Sequence, residues 1–435
     1  MASTLLPQAE KGNDLPMQQH EAARVLTRSA RRNFWMNVGD GATFAFGLSM
    51  VSRYTVLPLF VSRINSDPLL LGVLPALFSL GWLLPQLFTA PLVASLPRRL
   101  PFILRVTISE RLPFLLFGLV LILWPNLPAW ALLATCFGCY LAHTVSAGLA
   151  ATAWQDMLAR VVPAERWGRL FGITNALGGG LGVAGALIAG WALAQLPFPQ
   201  NVGLLSLLCF GALIVSFVFL ALVVEPSQPT QPRVPMGLYL RGLVPLLRRD
   251  AAFRSYLFSR SAIGLALTGH SFITAAALLR FSVSDVLVGF FTAALLGSQA
   301  VANYLLGALA DRWGHKQVLE LSTAVGVVSL LLAMVAPSPG WYLVVFVLVG
   351  ISSAGYQLSG YTLAMAFSNE AERPTYIGLA NTALAPVGIL GPLAVAQLAA
   401  SLGYPALFAT TALVGVGGLM WLHRAVPALL RPAAT

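Results

Sequence analysis

The chain has 435 residues, 57% hydrophobic and 9% charged, with a formal net charge of +11. That composition leaves too little polar surface for a soluble domain of this length, and it points to a chain that crosses a membrane many times. The basic residues sit in short loops between apolar segments, so the excess charge reads as a signal of membrane orientation rather than of nucleic-acid binding.

Residues 1–32 are polar, carry Arg24, Arg28, Arg31 and Arg32, and contain no apolar run like a signal-peptide core. They are expected to form a cytoplasmic tail. A membrane span needs about 20 apolar residues, and on that ruler twelve are predicted. The first six lie at 35–61, 69–95, 102–124, 128–155, 169–195 and 202–224; the second six lie at 253–279, 286–306, 317–336, 340–365, 375–400 and 404–424. The predicted fold is therefore an all-α membrane protein, with a six-helix bundle over 33–225, a linker over 226–252, a second six-helix bundle over 253–425 and a tail over 426–435. Prolines from Pro226 to Pro235 make the linker extended and semi-rigid, with a short basic helix expected from Leu238 to Arg249.

Lys and Arg fall almost entirely in one set of loops. Arg98, Arg99, Arg160, Arg166, Arg169, Arg233, Arg312, Lys316 and Arg373 stand against Arg63 and Arg280 on the opposite side. Both termini are thus expected in the cytoplasm, in a multi-pass protein of the cell membrane. Arginine greatly outnumbers lysine, a bias expected of a GC-rich prokaryotic genome and hence of a prokaryotic inner membrane. The two halves also repeat. Ala164-Glu165-Arg166 answers Ala371-Glu372-Arg373, and Gly172-Ile173-Thr174-Asn175 answers Gly378-Leu379-Ala380-Asn381.

Between the eighth and ninth spans lies the most charged short loop, Gly307-Ala308-Leu309-Ala310-Asp311-Arg312-Trp313-Gly314-His315-Lys316. It resembles the signature loop of the major facilitator superfamily. Gly307, Asp311, Arg312, Gly314 and Lys316 match, and His315 replaces one of the closing basic residues. The resemblance extends over about 33–425 and implies two pseudo-symmetric bundles that rock about a substrate held near the bilayer midplane. In the first half only the basic end of the loop survives, as Arg98-Arg99, so that latch is expected to be weak. Gly178-Gly179-Gly180-Leu181-Gly182-Val183-Ala184-Gly185 is similar to the superfamily's antiporter motif without its proline; close helix packing explains the same glycines.

Ionisable groups inside a membrane are costly, so they are the candidates for substrate binding or coupling. They are Asp40 and Arg53 in span one, Glu110 and Arg111 in span three, His143 in span four, and Arg260 and His270 in span seven. Span ten adds Tyr356 and Gln357, and span eight adds Gln299 and Asn303. The resemblance implies that spans one, four, seven and ten line the cavity while span three is peripheral. By depth along their spans, Arg53 is expected to reach Glu110. Two acids against three arginines leave one buried positive charge to be neutralised, which favours an anionic group on the substrate. If protons drive transport, Glu110 is the candidate carrier of one, with Asp40 as fallback; the alternative is a permanently ionised Glu110 that locks spans one and three together.

The function expected is secondary transport of a small solute, anionic or amphipathic, by a monomer embedded in the lipid bilayer, with protons as the candidate coupling ion. A transporter-like receptor or partner subunit is the alternative. No enzyme, metal site or cofactor is expected: Cys136-x-x-Cys139 has no second pair, and no phosphate loop is present. Cys136, Cys139 and Cys209 read as small packing residues.

Overall fold

The computed structural model describes residues 14–163, 166–227, 236–237, 245, 247–281, 283–367 and 373–427, which contain helices and no strand. In chain order the helices are α1 (Asp14–Met50), α2 (Val56–Ile64), α3 (Pro68–Ala94), α4 (Leu100–Leu123), α5 (Ala129–Val161), α6 (Trp167–Gln195) and α7 (Gln200–Ala221). The second half holds α8 (Ala251–Leu267), a 3-10 turn (Thr268–Phe272), α9 (Ile273–Arg280), α10 (Asp285–Trp313), α11 (His315–Val335), α12 (Trp341–Ala366) and α13 (Arg373–Ala425).

Among the described residues, ten stretches are long and apolar enough to cross a membrane. One of them, Leu379–Ala425, turns at Gly403, whose φ of 83° lies in the left-handed region, and so supplies two spans. Asn37 and Asp40 dilute the apolar run of α1, and with α2 it makes the remaining span. Three expectations change. Helix α1 reaches back to Asp14, into the expected tail. Span one is broken at Ser52–Thr55, where the Ser52 carbonyl accepts from the Thr55 and Leu57 amides. The loop expected between spans eleven and twelve shrinks to the bend at Gly403. Much of the linker, including Leu238, and the repeat residues Ala164, Glu165, Ala371 and Glu372 lie outside the described residues.

Helix pairing follows the same scheme in both halves. In the first, α1 packs on α6 and α7, α3 on α5, and α4 on α5 and α7. In the second, α8 packs on both arms of α13, α10 on α12, and α11 on α12 and α13. The halves meet through α6 against α10 and α3 against α13. The breaks correspond too: α1–α2 and α8–α9 are both first spans of their halves, each interrupted before its last two turns or so.

The two halves touch at one end and part at the other. At the end away from the signature loop a single apolar core runs across both, joining Phe60, Leu71 and Ala189 to Phe272, Phe291 and Ala396. Toward the signature loop the core divides: Phe34, Ile103 and Met157 belong to one cluster, and Phe253, Leu319 and Tyr376 to another. Glycines mark where α6 and α10 touch. A Cβ on Gly289 would stand 2.5 Å from the Gly190 Cα, one on Gly182 would stand 3.2 Å from Leu296 and one on Gly179 would stand 2.4 Å from Ala300, whereas Gly172 and Gly307, nearer the signature loop, have open space. The joined end is fastened by a Thr55–Thr292 hydroxyl pair, by Thr274 Oγ1 donating to the Tyr54 carbonyl at 2.7 Å, and by an Arg63–Asp285 ion pair.

This geometry sets an expected outcome for cross-linking. With Cys136, Cys139 and Cys209 replaced by alanine, Thr55→Cys with Thr292→Cys should form a disulfide under mild oxidation, and Gly172→Cys with Gly307→Cys should not. Gel mobility reads the result, and the opposite pattern would contradict closure at this end.

Candidate functional site

Between the halves lies a cavity of about 320 Å³, the liquid volume of roughly ten water molecules. Its wall comes from both breaks and from α3, α5, α8, α12 and α13. From the first half it takes Arg53, Tyr54, Phe78, Ser79, Trp82 and Tyr140; from the second it takes Arg260, Thr268, His270, Tyr356, Gln357 and Asn381. Two guanidiniums and an imidazole thus face the space. Among the described residues lining it there is no carboxylate.

The break in span one releases Arg53 from the helix. Its guanidinium carbon lies 3.8 Å from the Phe78 ring centroid and 4.7 Å from that of Tyr54, and Nη2 donates to the Tyr54 hydroxyl at 2.9 Å. A guanidinium on an aromatic face keeps its charge in a weakly polar wall. Arg260 is 2% exposed and is held from its own half: Nη1 donates to the Gly360 carbonyl at 2.6 Å and to the Tyr256 hydroxyl at 2.9 Å. Tyr256 in turn donates to the Gly360 carbonyl, and Tyr356 donates to the Arg260 carbonyl at 3.4 Å. Gly360 stands where a Cβ would lie 3.0 Å from the Arg260 guanidinium carbon, so a side chain there would push the arginine by a few tenths of an ångström. His270, in the 3-10 turn, meets Ser329 Oγ at 2.9 Å. Because Ser329 gives its only proton to the Gly326 carbonyl at 2.7 Å, His270 Nε2 must be the donor between them.

The acids are elsewhere. Asp40, Glu110, Arg111 and His143 do not line the cavity; they form a buried network inside the first bundle. Arg111 Nε donates to the Leu213 carbonyl at 2.8 Å, Nη1 to the Thr107 carbonyl at 2.7 Å, and Nη2 to Ser216 Oγ at 3.2 Å. Ser216 passes its own proton to Asp40 Oδ1 at 2.6 Å, and Trp154 Nε1 reaches Asp40 Oδ2 at 3.3 Å. Glu110 Oε2 lies 3.5 Å from Arg111 Nη1. His143 Nδ1 donates to the Glu110 carbonyl at 3.0 Å. The expected Arg53–Glu110 pairing is therefore corrected: the charged groups around Glu110 are Arg111 and Asp40. An adjacent arginine, freed to curl back along its own helix, was the nearer partner.

Arg105, a further charge within the third predicted span, is exposed near the start of α4. Gln299 and Asn303 are half-buried and are absent from the cavity wall. Trp82 and Tyr140 join the wall unannounced, since aromatic residues in apolar spans carry no signal of which face they occupy, and Asn381, named above only within the internal repeat, joins it too. Cys136 and Cys209 are buried and Cys139 is partly so, all as free thiols.

In the signature loop, Gly314 has φ 95° and closes α10 while opening α11, a conformation that favours glycine. Lys316 is 9% exposed, and its Nζ donates to the carbonyls of His423 at 3.0 Å and Val426 at 2.7 Å. A cation thus caps the last turn of α13, where the helix dipole is negative. Glu320 lies 3.7 Å from Lys316 and 3.3 Å from His423. Arg312 is exposed, and the side chain of Asp311 lies outside the described residues. The first half does the same job differently. Glu225, beyond α7, accepts from the Leu100 amide at 2.7 Å, Asn33 exchanges two 2.9 Å bonds with Val224, and Arg99 Nε meets Asp156 Oδ2 at 2.6 Å. The expected weakness of this end is not apparent in its bonding.

The Major Facilitator Superfamily model matches residues 255–435. No curated protein matches the chain. Among solved structures, a mutant of the nucleoside transporter NupG is similar at a TM-score of 0.70 and 10% identity, covering 91% of this chain and 100% of that one. A D-xylose-proton symporter is similar at 0.67 and 15% identity, covering 92% and 98%. A bacterial homologue of the human lysosomal transporter Spinster, inward-facing and unoccupied, is similar at 0.58 and 14% identity, covering 92% and 95%. At these identities the neighbours share the fold alone. The family match is confined to the second half of the chain, while the solved neighbours share its fold over both halves, in keeping with the pairing scheme repeated in the two bundles.

Proposed function

We propose that the protein is a secondary transporter that carries a small amphipathic anion by alternating access, with the cavity between its halves as the substrate site. The observation that carries this reading is the wall itself, which presents Arg53 and Arg260 from opposite halves with no carboxylate among its described residues. A guanidinium binds carboxylate or phosphate through paired charge-assisted hydrogen bonds. Phe78, Trp82, Tyr140 and Tyr356 offer apolar faces to the rest of the solute. A cation would find no counter-charge among those residues. Discontinuous first spans at the cavity match the way such folds build midplane sites.

The two carboxylates are read as structural. Asp40 and Glu110 share Arg111 inside the first bundle, tying α1, α4 and α7 together away from the solute. The substrate's own gradient then suffices as driving force. Both ends of the chain and the signature loop are assigned to the cytoplasmic face, on the arginine distribution. The cavity accordingly opens inward.

Binding can be measured by thermal shift on the purified protein, with phenyl phosphate and phthalate as anions, phenyltrimethylammonium as a cation and phenyl glucoside as a neutral solute. The anions are expected to raise Tm and the other two to leave it unchanged. Arg53→Gln and Arg260→Gln should each weaken anion binding at least tenfold, the loss of one hydrogen bond to a charged group of about 1.5–3 kcal/mol. Stabilisation by the cation alone would overturn the assignment.

For the buried network, Arg111→Leu leaves two carboxylates without their cation and should destabilise the protein by roughly 3–5 kcal/mol. Adding Asp40→Asn and Glu110→Gln should restore most of that loss. Glu110→Gln alone should keep anion flux in proteoliposomes, and collapsing the pH gradient should leave wild-type flux unchanged; flux lost in both cases would make Glu110 a proton carrier.

A cytoplasm-dependent reporter fused at Thr435 should be active. Activity of a periplasm-dependent one there would reverse the orientation.

A further inference from the structure

We propose that the first bundle carries a binding site for one anionic phospholipid on the outer face of α4, where Arg105 and Arg98 hold the lipid phosphate in the leaflet at the open end. The site lies outside the cavity, and the proposal stands whatever the cavity carries.

The membrane-facing side of α4 can be read from its exposure. Ile108, Leu112, Leu116, Leu119 and Leu123 are exposed at spacings of three and four, which is one stripe along a helix. Ile103, Thr107, Glu110, Arg111, Phe114 and Phe117 are buried, on the side that packs on α5 and α7. Arg105 is exposed three residues before Ile108 and so continues the outer stripe. It differs in this from Arg111, which turns inward and is held by carbonyls, a serine and Glu110. Arg105 makes no hydrogen bond or ion pair with any described residue. The described carboxylates at that end of the bundle are engaged elsewhere: Asp156 with Arg99 and Arg160, and the buried Glu225 with the Leu100 amide.

The level of Arg105 in the bilayer follows from the other end of the helix. Trp124 and Trp130 are exposed there, as aromatic residues at a membrane interface are. A hydrocarbon layer of about 30 Å, measured back from Trp124 at about 1.5 Å per residue, ends close to Arg105. Side chains lean toward the start of their helix, so the guanidinium is carried from the edge of the hydrocarbon into the phosphate layer. The pairing of α4 with α7 is fixed by Arg111 on the Leu213 carbonyl and by Glu225 on the Leu100 amide. Arg105 therefore stands level with the last turn of α7, where Val218 and Leu222 are exposed and offer an apolar surface to the upper part of an acyl chain.

A cation on a lipid-facing stripe needs a partner from outside the protein. The planar guanidinium matches two phosphate oxygens. Arg98, in the turn before α4, is also exposed and without a described partner, and it adds a second positive charge. Together they favour a headgroup with net negative charge over one whose phosphate is offset by its own ammonium. An arginine that merely reached up to water would take either lipid equally.

The test is native mass spectrometry of the full-length protein in detergent, titrated with phosphatidylglycerol or phosphatidylcholine of the same acyl chains. One phosphatidylglycerol should be retained about tenfold more tightly than phosphatidylcholine, the effect of one hydrogen bond between charged groups. Arg105→Gln should abolish the difference and Arg98→Gln should reduce it. Arg424→Gln, which deletes an exposed charge at the same end of the second half, should preserve it. Without lipid, Arg105→Gln should keep the wild-type Tm; a lowered Tm would show that Arg105 holds the protein itself and would count against the proposal. Equal retention of the two lipids by the wild type, or a preference that survives Arg105→Gln, would overturn it. Displacement of the lipid by glycerol phosphate in solution would make this a site for a soluble phosphate and overturn the lipid assignment.

Discussion

Charge in a medium without water must be matched by charge or by oriented dipoles, and the places where this chain meets that requirement decide its architecture. Arg111 spends every nitrogen on α4, α7 and Glu110, so it functions as a rivet for the first bundle. Arg260 is anchored on one carbonyl and one hydroxyl of its own half and still borders the cavity. Lys316 lies at the surface layer, where it caps a helix end. Three cations of similar chemistry thus serve as internal tie, cavity wall and cap. What separates them is depth and the partner each helix presents.

The halves obey one pairing plan but close their ends by different chemistry. In the second half a lysine from the start of α11 holds the last carbonyls of α13; in the first, a carboxylate beyond α7 holds the first amide of α4. Donor and acceptor have exchanged places across the pseudo-symmetry. Symmetry here lives in helix packing, which depends on side-chain volume and small residues. Polar fastenings can be reassigned without disturbing it.

Much of this was legible in the sequence because membrane spans are written in long apolar runs, and because charges within such runs are too few to overlook. Arg53, Arg260, His270, Tyr356 and Gln357 were identified as candidates and do border the cavity. The partner of Glu110 was not legible. Depth along a helix places two residues at one level but leaves their azimuth open, and Arg111, next in sequence, faces the same interior as Glu110. Ser216 and Trp154 were also missed; they meet Asp40 across separations of 176 and 114 residues, and serine or tryptophan in an apolar span is ordinary until its neighbour is known. The two broken spans escaped because the segments on either side of each break remain apolar, so hydropathy runs through the interruption.

The bend at Gly403 has a practical side. One residue joins two spans there, and the other turns on the same face are Asn65–Asp67, Trp124–Pro128, Leu196–Pro199, Phe281–Ser284 and Ala336–Gly340. That face of the molecule is nearly bare: it offers almost nothing for an antibody, a protease or a fused tag to grip. Handles for purification or labelling belong on the opposite side, where the chain has length to spare, and an epitope inserted at Gly403 would prise apart two spans that fold back on each other through a single left-handed residue.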